Sequence, residues 1–180
     1  TGKAYPLINF IGIHMVPTLV VYGCILPAVF AIVCSAPAPT ESSVEFVRLG
    51  MQTYEFPHAA PITAGSVIFV CVSFAAVILQ GYSDILMHRF RKSGTGGFIR
   101  TGPWKYARHP NYLGEICMWW GIGLACVCAM PERWWLLAGA LANTLLFIFV
   151  SVPMADGRQS KKPGFAEYKK QTRVFFPIKK

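Results

Sequence analysis

The chain has 180 residues, of which 54% are hydrophobic and only 14% are charged, and its mean hydropathy is +0.44. This length suits one domain, and the composition is too apolar for an ordinary soluble domain, so we predict a multi-pass membrane protein. The formal net charge is +9, but all of the 17 Lys and Arg residues except Lys3, Arg48 and Arg133 lie in two segments, 83–111 and 155–180. Such clustering is typical of cytoplasmic loops and argues against a surface that binds nucleic acid.

Four apolar segments are long enough to cross a bilayer, because a spanning helix needs about 20 residues. They lie at about residues 7–34, 62–82, 112–130 and 134–154. The connection 36–61 carries three Glu residues but only one basic residue, Arg48, so we place it outside the cell. Both basic segments, Lys3 and the two chain termini then lie in the cytoplasm, as the positive-inside rule requires.

These segments predict an all-α fold, an integral-membrane bundle of about four spanning helices. Residues 1–180 form a single membrane domain, in which residues 1–61 supply the first span and the external loop. The six Cys residues lie almost entirely in apolar runs, and none has C-x-x-C spacing. Buried Cys usually behaves as a small hydrophobic residue, so no metal site is predicted.

Ionisable residues are concentrated in the segment 83–120, between the second and third apolar segments. Because such groups are costly at a membrane edge, we expect the functional site there. If the second helix continues past the membrane surface, Asp84, His88 and Arg91 share one helical face. That face could bind a ribose and a phosphate, since Arg suits bidentate phosphate recognition, or it could be a solvated charge ladder. The glycine-rich turn 93–97 lacks Rossmann or Walker spacing, so it is a linker or a simple phosphate contact.

The start of the third apolar segment carries a second polar group. Pro110 restricts His109 to an extended conformation, which makes Asn111 a natural N-cap for the following helix. A helix start also presents free N–H groups to an anion. Glu115 lies one turn further along the face of Asn111, and Trp119 one turn beyond that. An unpaired ionised carboxylate inside a membrane span has a large cost in free energy, so we predict a functional role for Glu115.

Eleven of these residues form one pattern: Ser83, Asp84, Arg91, Lys92, Gly94, Gly102, Tyr106, Asn111, Gly114, Glu115 and Trp119. The pattern resembles the steroid 5-alpha-reductase family, and is closest to its bacterial-type branch, which is labelled a domain of unknown function. The tail 162–168, its ending Phe176-Pro177 and the segment 9–18 are similar to the same branch. The resemblance covers residues 62–180 well.

The resemblance implies a membrane helix bundle that binds NADPH in a cytoplasm-facing cavity and reduces an activated C=C bond in a lipid or steroid-like enone. Residues 62–180 would form this cofactor-binding core. The implied cofactor-binding residues are Asp84, Arg91, Arg108, His109 and Asn111. Glu115 would face the nicotinamide and the substrate, where it is the candidate acid or carbonyl-polarising group, with Tyr106 as the second candidate. Hydride adds to the β carbon of an enone while an acid near the carbonyl oxygen stabilises the enolate.

The chain departs from that family upstream of the cofactor pattern. The steroid reductases place a further carboxylate and a Tyr on earlier helices, and this sequence has too few upstream spans to supply both. Either those helices precede the sequence, or this branch builds its substrate pocket differently. The tail also carries Asp156-Gly157-Arg158 in place of the His-rich stretch of the animal enzymes, and Asp156 and Arg158 could contact the cofactor.

A methyltransferase is the alternative enzyme class. Membrane isoprenylcysteine and phospholipid methyltransferases use S-adenosylmethionine, and this chain resembles them in the run from Arg108 to Gly114 and in its aromatic tail. Those enzymes carry a Glu pair before the last helix, where residues 154–158 read Met-Ala-Asp-Gly-Arg. In addition, Gly114 is followed by Glu115 rather than by an aromatic residue. We therefore favour the reductase, and a non-catalytic membrane subunit is the third hypothesis.

Overall fold

A computed structural model describes residues 16–35 and 62–176. Its helices are α1 (Val16–Ser35), α2 (Ala64–Lys92), α3 (Pro110–Ala129), α4 (Ala138–Leu146), α5 (Val152–Gln159) and α6 (Phe165–Gln171). Short 3-10 helices at Gly102–Lys105 and Pro131–Leu137 and a π-helical turn at Phe147–Ser151 connect them. Within these ranges there is no β-strand, and the prediction of an all-α membrane bundle is confirmed.

Three helical segments are long and apolar enough to span a membrane: Ala64–Lys92, Pro110–Ala129 and Pro131–Gln159. A shorter apolar stretch, Val16–Ile32, lies in α1. The predicted external loop 36–61 and the part of the first predicted span before Val16 lie outside the described residues. The second span continues beyond its predicted end to Lys92, so the polar residues that follow Tyr82 are helical.

α2 packs along α3 through glycines that allow the two backbones to approach closely. A Cβ atom on Gly114 would lie 2.8 Å from the backbone nitrogen of Gln80, and one on Gly121 would lie 2.2 Å from the Ser73 Oγ atom. Ser73 Oγ also donates a hydrogen bond to the carbonyl oxygen of Met118, at 3.1 Å. Helices in lipid associate through small residues and hydrogen bonds between helices. The contact between α2 and α3 has both features, as is typical of membrane helix pairs.

α3 is the central helix of the described bundle, because α1 and α4 pack on it from the other side. Gly23 of α1 and Gly139 of α4 meet so closely that a Cβ atom on Gly139 would lie 2.3 Å from the Gly23 carbonyl oxygen. The indole N–H of Trp120 in α3 donates to Thr144 Oγ1 in α4, at 2.8 Å. These contacts hold the helices in fixed register beneath the polar end of the bundle.

The tail that contains α6 folds back onto the loop between α2 and α3. Phe165 and Tyr168 of α6 are buried, and the Tyr168 hydroxyl donates hydrogen bonds to the carbonyl oxygens of Trp104 and Ala107. The indole N–H of Trp104 in turn donates to the carbonyl oxygen of Ser83 in α2, at 3.2 Å. Burial raises the pKa of Tyr168 to about 12, so its hydroxyl remains a proton donor at physiological pH. The tail is therefore fixed over the polar ends of α2 and α3.

Candidate functional site

A cavity of about 730 Å³ lies where the polar ends of α2 and α3 meet α5, α6 and the loop between α2 and α3. Its lining consists of Asp84, Met87, His88, Phe90, Arg91, Phe98, Ile99, Trp104, Arg108, His109, Asn111, Tyr112, Ala155, Asp156, Arg158, Gln159, Lys162, Phe165 and Tyr168. All five predicted cofactor-binding residues are in this set, and neither predicted catalytic residue is. Small-molecule and cofactor sites have volumes of roughly 300–1,000 Å³, so the cavity is large enough for a cofactor.

One wall of the cavity is the end of α2. Asp84, His88 and Arg91 all line it, as the predicted helical face requires. The Asp84 Oδ1 atom accepts a hydrogen bond from the Asn111 side-chain amide of α3, at 3.0 Å. The Arg91 side chain is exposed and has no hydrogen bond or ion pair with any other described residue. Its guanidinium group is therefore available to an anion.

The start of α3 differs from the prediction. The helix begins at Pro110, with His109 as its cap residue, so the prediction that Asn111 is the N-cap is wrong. Proline suits the first helical position, because it has no N–H group to satisfy and its φ angle is already helical. Asn111 consequently lies inside the first turn and reaches across to Asp84. Its Oδ1 atom is buried and has no hydrogen-bond partner within the described ranges.

The opposite wall is held by a buried ionic cluster around Asp156. Arg108 Nη2 lies 3.3 Å from Asp156 Oδ2, and His109 Nε2 lies 2.9 Å from Asp156 Oδ1. Arg108 also donates to the Thr172 carbonyl oxygen at 2.8 Å, and the Lys169 ammonium group lies 3.5 Å from Asp156 Oδ2. The Arg108 side chain is only 6% exposed. Arg108 and His109 therefore connect the loop to the tail, which is a structural task, and their predicted contact with a cofactor stays a prediction.

His109 is a buried neutral donor in this cluster. Burial lowers the pKa of His109 below its usual 6.5, although the hydrogen bond and the charge of Asp156 act in the opposite direction. The imidazole also stacks on the Tyr112 ring, with centroids 5.0 Å apart and planes 6° apart, and Tyr112 packs against Phe147. A neutral ring in this position donates its Nε2 proton to Asp156 and places an apolar face on α3.

Cationic side chains outnumber free carboxylates around the cavity. Arg158 and Lys162 join Arg91 in its lining. The side chain of Arg158, like that of Arg91, has no hydrogen bond or ion pair to another described residue. The Lys162 ammonium group donates to the carbonyl oxygen of Gly97, which ties the tail to the glycine-rich turn. Of the two lining carboxylates, Asp156 is already paired within the buried cluster. The cavity therefore suits an anionic ligand.

The two predicted catalytic residues lie apart from the lining. Glu115 is one turn deeper in α3 than Asn111, and its Oε2 atom accepts a hydrogen bond from the Gln80 side-chain amide of α2, at 3.3 Å. Tyr106 is 50% exposed, and the Lys105 ammonium group lies 5.6 Å from its ring centroid. The structure thus places Glu115 beneath the cavity and does not bring Tyr106 to it. Their chemical roles remain predictions.

A family described as a protein of unknown function, DUF1295, matches residues 2–172. The chain belongs to this family. Two curated relatives are the proteins named 3-oxo-5-alpha-steroid 4-dehydrogenase 1 of Macaca fascicularis, 29% identical over 106 residues, and of Homo sapiens, 28% identical over 104 residues. The alignments cover 58% and 57% of this chain but only 37% of each relative. No solved structure matches this DUF1295 protein.

These relatives confirm, at the level of the family, the resemblance to the steroid 5-alpha-reductases. Because the DUF1295 chain spans little more than a third of each relative, the activity and the substrate of the whole relatives are not transferred to it by similarity alone. Sequence reasoning found the α2 wall of the cavity and, through the resemblance, named Arg108, His109, Asp156 and Arg158 of the other wall. It missed Lys162, which lies in a basic tail where nothing in the local pattern distinguishes a cavity-lining cation from a solvated one.

Proposed function

We propose that this DUF1295 protein is a membrane reductase that uses NADPH to reduce an activated C=C bond in a steroid-like or other lipid enone. The observation that carries the proposal is the cationic cavity at the polar end of an apolar helix bundle. In this cavity the Arg91 side chain has no hydrogen bond or ion pair to another described residue, and it lies on the same wall as the Asp84–Asn111 pair. The similarity to relatives named as steroid 4-dehydrogenases supports the same class of reaction.

The residues around the cavity fit a phosphorylated dinucleotide. Arg91, Arg158 and Lys162 can neutralise phosphate groups, and a guanidinium group binds phosphate with two parallel hydrogen bonds. Asp84 can accept from a ribose hydroxyl, and the buried Oδ1 atom of Asn111 can accept from an amide or a hydroxyl. When bound, NADPH would supply the hydride.

Glu115 has a position that suits a proton donor or a carbonyl-polarising group. It lies on α3 one turn below Asn111, inside a membrane-spanning segment and close to the floor of the cavity. A lipid enone that reaches this level from the bilayer would present its carbonyl oxygen to the carboxyl group of Glu115. The hydrogen bond from Gln80 keeps that carboxyl group between α2 and α3. The buried cluster around Asp156 meanwhile keeps the tail in place as one wall of the cavity.

The orientation in the membrane follows from the charge distribution. The cavity, the basic segment 83–111 and residues 155–176 of the second basic segment lie at the same end of the bundle, because α2 ends and α3 begins there. The positive-inside rule then assigns this end, with the C-terminal tail, to the cytoplasm, which is where NADPH is available.

The test is a binding titration of the detergent-purified protein with NADPH and, separately, with S-adenosylmethionine. A charge-assisted hydrogen bond is worth about 1.5–3 kcal/mol, so Arg91→Ala should weaken NADPH binding by about 10- to 100-fold. Asn111→Ala should weaken it by a smaller factor. The matched control is Arg89→Ala, which removes an exposed arginine of α2 that does not line the cavity. Saturable binding of S-adenosylmethionine without binding of NADPH would contradict the proposal and favour methyl transfer.

A further inference from the structure

Two amide–carboxylate pairs connect α2 and α3 at successive helical turns. At the cavity, Asp84 of α2 accepts a hydrogen bond from Asn111 of α3 at 3.0 Å. One turn deeper, the direction reverses, and Gln80 of α2 donates to Glu115 of α3 at 3.3 Å. Each helix thus contributes one acid and one amide, four residues apart, which places both on a single face. The deeper pair lies in the membrane-spanning parts of both helices.

Gly114 explains why Gln80 and Glu115 meet. A Cβ atom at position 114 would lie 2.8 Å from both the backbone nitrogen and the Cβ atom of Gln80. Because the two backbones touch at this point, the side chain that follows Gly114 lies beside the Gln80 side chain. The contact at Gly114 therefore sets the register of α2 against α3. This register places the Glu115 carboxyl group next to the Gln80 side-chain amide.

A carboxyl group inside an apolar span needs a polar partner, since an unsatisfied one costs several kcal/mol in lipid. Gln80 is such a partner, and it is a neutral donor, so it orients the carboxyl group without placing a cation beside it. The separation of 3.3 Å is at the long end for an N–H···O hydrogen bond. A bond of this length contributes little to holding α2 against α3, which already touch at Gly114. Its loss should therefore change the orientation of the Glu115 carboxyl group and leave the helix packing intact.

We propose that Gln80 is a positioning residue, whose side-chain amide holds the Glu115 carboxyl group in the orientation that the reduction requires. This inference rests on the proposed function, because it takes Glu115 to be the group that acts on the enone carbonyl. Gln80 does not line the cavity, so in this role it acts through Glu115 rather than on the cofactor. A reductase that lacks the Gln80 amide should bind both ligands normally and turn over slowly.

The experiment measures kcat and KM for an enone lipid, and Kd for NADPH, on the full chain in detergent. Gln80→Met keeps the length of the side chain and removes the donor, so kcat should fall about 10- to 100-fold while KM and Kd stay within about threefold. Glu115→Gln should lower kcat at least as much. The double variant with both substitutions should be no slower than Glu115→Gln alone, because a positioning residue has nothing left to position. The matched control is Asn143→Leu, which removes another buried amide from the bundle and should leave kcat unchanged.

Three results would overturn the inference. Gln80→Met could retain kcat within about twofold of the parent protein, the losses of the two single variants could multiply in the double variant, or the loss could appear in Kd for NADPH. The last result would mean that Gln80 contacts the cofactor directly. A parent protein that binds no NADPH and reduces no enone would refute the proposed function and this role with it. If the parent protein is active and Gln80→Met has the same kcat as the parent, only the role of Gln80 is refuted.

Discussion

Removal of the charge at position 156 should loosen the tail that walls the cavity. In Asp156→Asn the buried Arg108 guanidinium group loses its carboxylate, and His109 and Lys169 lose the same partner. Removal of one member of a buried ion pair costs about 3–5 kcal/mol, because the other charge stays desolvated. We expect the lower end, about 3 kcal/mol, since Asn keeps a carbonyl oxygen that can still accept a hydrogen bond.

For a chain of this size, about 3 kcal/mol corresponds to a decrease in Tm of about 6–12 °C. The assay is thermal unfolding of the detergent-purified protein, followed by its intrinsic tryptophan fluorescence, to which Trp104 under the tail contributes. The matched control is Glu167→Gln, which removes an exposed carboxylate of α6 whose partner is Gln171, and which should shift Tm by less than about 2 °C. If Asp156→Asn melts like Glu167→Gln, the tail is not held by this cluster and the reasoning fails.

Three further predictions follow from the packing, the titration and the charges. Gly121→Ala should destabilise the protein by about 1–3 kcal/mol in thermal unfolding, because the added Cβ atom would overlap α2, whereas Gly81→Ala, which meets no atom within 4 Å, should not. Because the folded-state pKa of His109 is lowered, the unfolded chain binds more protons below about pH 6.5, so Tm should be constant above that pH and fall below it. A Tm that rises on acidification would contradict the buried neutral imidazole. Arg158→Ala should weaken NADPH binding by about 10-fold in a titration at low salt, and equal binding by the variant and the parent would remove Arg158 from the site.

The bundle and one wall of its cavity are predictable from the sequence because their signals are local. Hydropathy over some 20 residues locates the spans, and the spacing of Asp84, His88 and Arg91 places them on one face once the helix continues past the membrane surface. The start of α3 is also a local matter. There the preference of proline for the first helical position prevails over the capping preference that predicted Asn111 as the N-cap.

The other wall depends on contacts between distant segments, and local patterns carry no information about them. Asp156 is 47 residues from His109 in sequence, and nothing near either residue indicates that they pair. The same holds for Gln80, which is 35 residues from Glu115 and reads as one polar residue in an apolar run. The exposed position of Tyr106 depends on how the 3-10 helix Gly102–Lys105 docks under the tail, which is again a tertiary contact.

Transfer of deuterium from cofactor to product tests the central claim most directly. The purified protein would be incubated with NADPH that carries deuterium at the transferring position and with a steroid-like enone in detergent or vesicles, and the product analysed by mass spectrometry. The proposed reaction predicts a saturated ketone that carries one deuterium on its β carbon, with formation slowed in Glu115→Gln and in Arg91→Ala. A substrate that remains unreduced while S-adenosylmethionine yields a methylated lipid would contradict the account.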